Sequence, residues 1–181
     1  MNVVEPIRDP QDVIELGEIL KAKDMRWYVM YTMGIYSGLR ISDILRLKVG
    51  DVKGKDEIRI REKKTGKEKA FPVNDQLREI LAGYCKGKDL DRYLIESKRK
   101  PGRAISRVYA YRVIHEAGQQ LGLDNLGTHS MRKTFGYHFY TQTKDIALLM
   151  RILNHSDQSK TLRYIGIEQE NIDNAIRNFR Y

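Results

Sequence analysis

Five short segments of this chain carry side chains able to do chemistry on an anion. The first, Ser37-Gly-Leu-Arg-Ile-Ser-Asp43, sets Arg40 just past a glycine turn at the mouth of the next helix; its plainer reading is a surface arginine paired with Asp43. The second, Lys63-Lys-Thr-Gly-Lys67, is a basic hairpin tip. Such a tip is ordinarily solvated charge, yet Lys64 suits a proton donor on a mobile arm, because an ammonium gives up a proton once a phosphate positions it. The third, Thr128-His-Ser-Met-Arg132, puts His129 and Arg132 at i and i+3. An imidazole and a guanidinium then share one helix face, beside N-terminal backbone N–H groups that favour an anion. In the fourth, Leu153-Asn-His155, the histidine follows an amphipathic stretch of Ile146, Leu149, Met150 and Leu153, where it reads equally as a C-terminal cap. The fifth, Thr161-Leu-Arg-Tyr164, ends on one of 11 tyrosines, a residue type far more often buried than nucleophilic.

Bringing these groups together requires a frame, and the patterning predicts a helical one. Asp9 as N-cap, Pro10 in the first turn and apolar Val13, Leu16, Ile19 and Leu20 predict an amphipathic helix from Pro10 to about Lys21. The segment from Met25 to about Tyr36 is apolar nearly all round and stops at Ser37-Gly38, the pattern of a buried helix with a glycine C-cap. A short helix over 42–47 follows. Glu57-Ile-Arg-Ile-Arg61 alternates polar and apolar residues; with the turn pair Thr65-Gly66 and then Ala70-Phe-Pro-Val73 it predicts a β-hairpin. Asn74 caps a helix whose Leu77, Ile80, Leu81 and Tyr84 fall at i, i+3, i+4 and i+7, ending near Gly87. Ser106 to about Leu121 reads as a helix burying Ala110, Ile114, Ala117 and Leu121, and three more helical stretches are expected over about 128–140, 144–153 and 168–178. The fold class is therefore α+β, mainly helical with a small antiparallel β-sheet, in one compact domain over residues 1–181.

Composition narrows the setting. The chain carries 33 Lys and Arg against 24 Asp and Glu, a net charge of +9, which suits a polyanionic partner or simply a soluble basic surface. One cysteine, Cys85, cannot close an internal disulfide, and no Cys/His set has zinc spacing. The N-terminus bears Glu5, Arg8, Asp9 and Asp12, unlike a signal peptide, and no apolar run reaches bilayer length. A cytoplasmic protein with no membrane partner and no structural metal is expected.

In chain order the groups read Arg, Lys, His-x-x-Arg, His, Tyr, with a nine-residue step from His155 to Tyr164. This order resembles the active-site signature of the tyrosine recombinases, the phage-integrase family, over essentially the whole chain. The resemblance implies that Arg40 and Arg132 grip a scissile phosphate, that His129 and His155 hydrogen-bond it and handle protons, and that Lys64 is the general acid. Tyr164 would attack, and Asp43 matches the family's acidic support. It further implies a site-specific DNA recombinase or integrase working on double-stranded DNA beside other protomers, through a 3′-phosphotyrosyl intermediate. The C-terminal stretch from Glu168 to Asn178, with Ile172, Ala175, Ile176 and Phe179 apolar, would dock on a neighbour in a cyclic assembly or pack back on its own domain. Relatives commonly precede this domain with a helical module that clamps the far side of DNA; here only about 36 residues precede the Gly-Leu-Arg motif, so that module is expected to be absent, in a minimal recombinase or a fragment. Lys133 and Asn154 stand where relatives often carry histidine and glycine.

The chemistry explains the residue types. Moving a phosphodiester onto tyrosine builds charge on the non-bridging oxygens, which two guanidinium forks answer bidentately. A phenol with a free pKa of about 10 needs a proton acceptor, a histidine or a water, to become a nucleophile. The 5′-alkoxide is too basic to leave unaided, so an acid such as Lys64 must protonate it. So written, the reaction calls for no metal and no cofactor. For DNA contact, the breaker-rich loop with Lys98, Arg99, Lys100 and Arg103 and the helix start with Arg107 and Tyr111 are the groove candidates; Lys63, Lys67 and Lys69 would add phosphate contacts. Two alternatives share these residues: a nicking-closing enzyme of the type IB topoisomerase kind, and a non-catalytic DNA-binding regulator with this fold.

Overall fold

The computed structural model describes residues 4–167, 174 and 176–180. Helix α1 (Pro10–Lys23) opens as the sequence predicts, with Pro10 in its first turn and the Asp9 side chain accepting from Gln11 N at 2.8 Å. Helix α2 (Met25–Ser37) is capped by Asp24, buries Trp27, Val29, Met30, Tyr31 and Met33, and ends on Gly38 at φ +62°. A left-handed residue closes a helix most cheaply when it is glycine.

The helix expected over 42–47 is shorter, α3 (Ile41–Ile44), and a second short helix, α4 (Val49–Val52), follows it unforeseen. Four residues hold too little periodicity to read; α4 is fixed instead by distant backbone, with Val49 N donating to Arg92 O and Gly50 N to Leu90 O, both at 2.9 Å. Strands β1 (Glu57–Arg61) and β2 (Glu68–Pro72) form the antiparallel hairpin, with Ile58 opposite Phe71 and Ile60 opposite Lys69. Strand β2 begins two residues before the expected Ala70, because Glu62 N donates to Lys67 O at 2.9 Å and pulls the ladder up to the turn.

Helices α5 (Asp75–Cys85) and α6 (Arg107–Gln119) start on the side chains of Asn74 and Ser106, the first as predicted. Then come α7 (Thr128–Thr143), α8 (Ile146–Leu153) and α9 (Gln158–Tyr164). Among the described residues the fold is thus mainly helical with one two-stranded antiparallel sheet, the α+β arrangement expected. Most of the C-terminal helix expected from Glu168 to Asn178 lies outside the described residues. No helix of the described residues is long and apolar enough to cross a membrane.

The apolar side chains gather in two clusters. The larger one joins α1, α2, α5 and α6 with Ile58 and Phe71 of the hairpin; the smaller one joins Tyr137, Leu149, Leu153, Ile165 and Ile167. Helix α7 belongs to both, through Met131 in the first and Tyr137 in the second. The groups of interest lie along that junction.

Candidate active site

Arg132 lies at the centre. It stands one turn into α7, only 2% exposed, and its guanidinium donates from Nη1 to Gly38 O and from Nη2 to Leu153 O, both at 2.5 Å. A single side chain therefore ties the glycine turn before Arg40 to the last residue of α8. Burial pushes its pKa down, helped by the Arg40 charge, although arginine stays protonated in proteins. Among the described residues no carboxylate forms an ion pair with it; the two peptide carbonyls and the Tyr164 hydroxyl hold the guanidinium.

Arg40 is the residue preceding α3, with a side chain 14% exposed. It does not pair with Asp43. Its Nη1 lies 2.8 Å from Oε1 of Glu62, at the end of β1, while Asp43 turns to the hairpin and accepts from Lys63 N at 2.9 Å. Both Asp43 and Glu62 are buried, at 3% and 2% exposed. The positive charges of Arg40 and Arg132 thus act on the same three groups, His129, His155 and Tyr164.

His129 enters from the first turn of α7, where burial, then Arg132 and Arg40, lower its pKa. Burial and the same two arginines push His155 down to about 4, so its imidazole is neutral at pH 7. Its tautomer follows from its neighbour. Thr161 Oγ1 donates its proton to Asp157 O at 2.6 Å and can therefore only accept at 3.2 Å from His155 Nδ1. This assigns Nδ1–H and leaves Nε2 with a free lone pair.

Tyr164 closes α9, and its ring meets His155 edge to face with centroids 5.2 Å apart. Burial raises its pKa above the usual 10, while Arg132, close enough to bond the hydroxyl, and Arg40 pull the other way. The Lys133 ammonium sits 5.2 Å over the same ring and donates to Val4 O at 2.8 Å. Helix α9 was not among the expected elements; Asp157, whose carboxylate accepts from Lys160 N at 2.7 Å, is the cap that could have revealed it. What holds Tyr164 in place is the next residue, Ile165, fully buried in the smaller cluster. It packs so closely on α7 that a Cβ at Gly136 would lie 2.7 Å from it.

Lys64 is exposed at the hairpin tip, near enough for its charge to lower both histidines. Lys63 is likewise exposed, and Lys67 reaches Asn154 Oδ1 at 3.2 Å. Lys69, expected to reach outward to a phosphate, instead turns inward to within 3.5 Å of Ser37 O, half-buried, its pKa pushed down to about 8 by burial and by Arg132. The residues alone assign Glu62 and Thr161 no role, and mark Asn154 only as a departure from the glycine that relatives often carry. A glutamate at the end of an alternating strand looks like ordinary exposed charge, so Glu62 gave no signal; Asn154 at φ +55° is a familiar helix stop.

The groove candidates sit apart from this cluster. Lys98 is engaged by Asp24 at 2.9 Å, while Arg99, Lys100 and Arg103 are exposed on a loop pinned by the Glu96–Ala104 bridge. The loop borders a cavity of about 580 Å³ lined also by Arg26, Tyr109 and Arg112. Arg107 and Tyr111 are exposed on α6, which packs on both α3 and α7, and Tyr111 stacks on His115 with centroids 5.4 Å apart.

Known proteins resemble this chain in sequence and in fold. The chain is 45% identical over 181 residues to the probable integrase/recombinase YoeC of Bacillus subtilis, covering 99% of this chain and 98% of that one. A XerA recombinase crystal structure superposes with a TM-score of 0.75 at 22% identity, over 99% of this chain and 67% of that one. A lambda integrase tetramer bound to a Holliday junction gives 0.71 at 16% identity, over 100% and 51%. The chain thus spans nearly all of the Bacillus relative but about half of the lambda integrase chain. Residues 9–171, from the first helix to beyond Tyr164, match the Phage integrase family, and this chain belongs to that family, the tyrosine recombinases.

Proposed function

We propose that this chain, as a single catalytic domain, cuts and rejoins double-stranded DNA at a specific site, with Tyr164 as nucleophile. The observation that carries the reading is the packing of Tyr164 between a neutral His155 and a buried, carboxylate-free Arg132. Tyr164 Oη attacks the phosphorus and passes its proton to the free Nε2 of His155. The P–O5′ bond breaks, and the departing oxygen takes a proton from Lys64. Arg40, Arg132 and His129 hold the non-bridging oxygens as their charge grows. The phosphotyrosyl bond keeps the energy of the broken linkage, so a 5′-hydroxyl from another strand reverses the step and joins a new partner.

The partners follow from the same reading. Arg99, Lys100, Arg103, Arg107 and Tyr111, with Lys63, Lys67 and Lys98, contact the duplex; other protomers join on DNA, as the lambda integrase tetramer does on a Holliday junction, and exchange of the C-terminal segment is the contact we propose between them. Ile176 in that segment is 69% exposed, which supports docking on a neighbour. The cytoplasm, where DNA is within reach, is the setting.

The test is covalent capture. Nicked duplexes with randomised arms are incubated with the chain and denatured in detergent. The wild type should leave a protein–DNA adduct and Tyr164→Phe none. Equal capture by both would show that another residue attacks.

A further inference from the structure

One buried carboxylate has no part in the mechanism above. Glu62, 2% exposed, uses both oxygens: Oε1 lies 2.8 Å from Arg40 Nη1, and Oε2 accepts from Thr65 Oγ1 at 2.8 Å and from Asn154 Nδ2 at 3.2 Å. Three elements meet on it: the Gly-Leu-Arg turn, the hairpin and the end of α8. Burial works against its ionisation, but the bonds from Thr65 and Asn154 and the Arg40 charge overcome that and hold its carboxyl below the usual range.

Asn154 makes the matching contacts from the other side. Besides Glu62, its Nδ2 is 3.4 Å from Thr65 Oγ1, and its Oδ1 accepts from Lys67 Nζ at 3.2 Å. Lys63 N is already held by Asp43. The residues on either side of Lys64 are thus tied down, whereas the Lys64 side chain makes no hydrogen bond or ion pair among the described residues. A flexible four-carbon stem on a fixed base can reach only a small volume, and proton transfer needs the donor within hydrogen-bond reach of the leaving oxygen.

We propose that Glu62 and Asn154 are a positioning pair for strand cleavage: they clamp the hairpin across Arg40 and the end of α8, and so keep Lys64 at the 5′-oxygen. Arg40 and Lys64 are then not independent, since one carboxylate holds the guanidinium that grips the phosphate and the loop that carries the acid. The inference rests on Lys64 being that acid, and the experiment separates the two.

Asn154 is the place to cut the clamp. Its backbone is left-handed at φ +55°, a conformation that glycine adopts more easily than asparagine, so Asn154→Gly removes the side-chain bonds and keeps the helix stop. Single-turnover cleavage is measured on a duplex captured by the wild type, made either with the normal linkage or with sulfur replacing the 5′-bridging oxygen. A thiolate is a far weaker base than an alkoxide and leaves without a proton. On the normal duplex Asn154→Gly should be slower by about tenfold or more, part of the ~10²-fold or greater loss expected from Lys64→Ala; on the sulfur duplex both should return to near the wild-type rate. Asn154→Asp, which sets a second carboxylate against Glu62, should behave as the glycine variant does. Trypsin should also cleave the hairpin lysines of Asn154→Gly faster, at an unchanged melting temperature. Normal cleavage by Asn154→Gly, or slow cleavage on both duplexes, would overturn the clamp. If Lys64→Ala itself is not rescued by sulfur, the acid assignment fails and takes the clamp with it; rescue of Lys64→Ala alone sinks only the clamp.

Discussion

In the proposed site, Arg132 and Lys64 are built on opposite plans. Arg132 is sealed in the junction of the two apolar clusters, bonded to two carbonyls from segments 94 and 21 residues away. Lys64 stands in solvent on a two-stranded hairpin. A group that stabilises charge works best when its dipoles are fixed in advance and water is excluded, because nothing then has to reorganise as the charge appears. A group that gives a proton away has the reverse need: it must be charged before the step and able to recover its proton after it. Solvent serves that need, and burial, which lowers a lysine pKa, works against it.

This contrast is sharpest if the two residues fail differently. Arg132→Ala should slow covalent capture by on the order of 10²–10³ and also lower the melting temperature, since the Gly38 and Leu153 carbonyls lose their partner, each at a cost of ~1–3 kcal/mol. An unchanged melting temperature would show that the guanidinium is not a structural bridge. Lys64→Ala should slow cleavage by on the order of 10² and leave the melting temperature where it was. A clear drop there would mean that the tip is packed, and the contrast would collapse.

Between these extremes His155 offers a pH test. Its folded pKa is about 4, against about 6.5 for a free histidine. Above pH ~6.5 both states are neutral and the burial of the ring costs nothing extra. As pH falls from there towards 4, the unfolded chain takes up a proton that the folded one refuses, so stability drops through that window. The lowered His129 acts with the same sign. His155→Asn should flatten part of this loss in melting temperature between pH 6.5 and 4.5; parallel curves for the two proteins would show that the ring is not held neutral. The smallest effect is expected at the basic loop, where Arg99→Ala or Lys100→Ala should each reduce the slope of log affinity against log salt by about 0.9. Lys98→Ala should change it less, because Asp24 already holds that ammonium. A Lys98 effect equal to the others would mean that DNA displaces Asp24.

Much of the frame was legible because its signals are local. Asp9, Ser37-Gly38 and Asn74 mark helix ends through contacts with residues two to four positions away, and the structure uses all three. The hairpin was visible from the alternation of Ile58 and Ile60 with charged residues and from Thr65-Gly66. Two elements were missed for physical reasons. Helix α4 is held by distant carbonyls rather than by its own periodicity, and α9 is short and polar along most of its length, anchored mainly by Ile165 just beyond it.

For the site, the sequence by itself determined which chemistry was available: two guanidiniums, two imidazoles, an ammonium and a phenol, in an order that names the family. Only the tertiary structure decided what each group is when it arrives. Asp43 lies three positions from Arg40 and was the plainer local partner, yet Arg40 pairs with Glu62, and Asp43 holds the hairpin instead. The neutrality of His155, its Nδ1–H tautomer and the inward turn of Lys69 were equally out of reach. Residue type and helix periodicity are set by near neighbours along the chain. Ion-pair choice and protonation depend on dielectric and on charges brought close by folding, from segments separated by 20 to 92 residues.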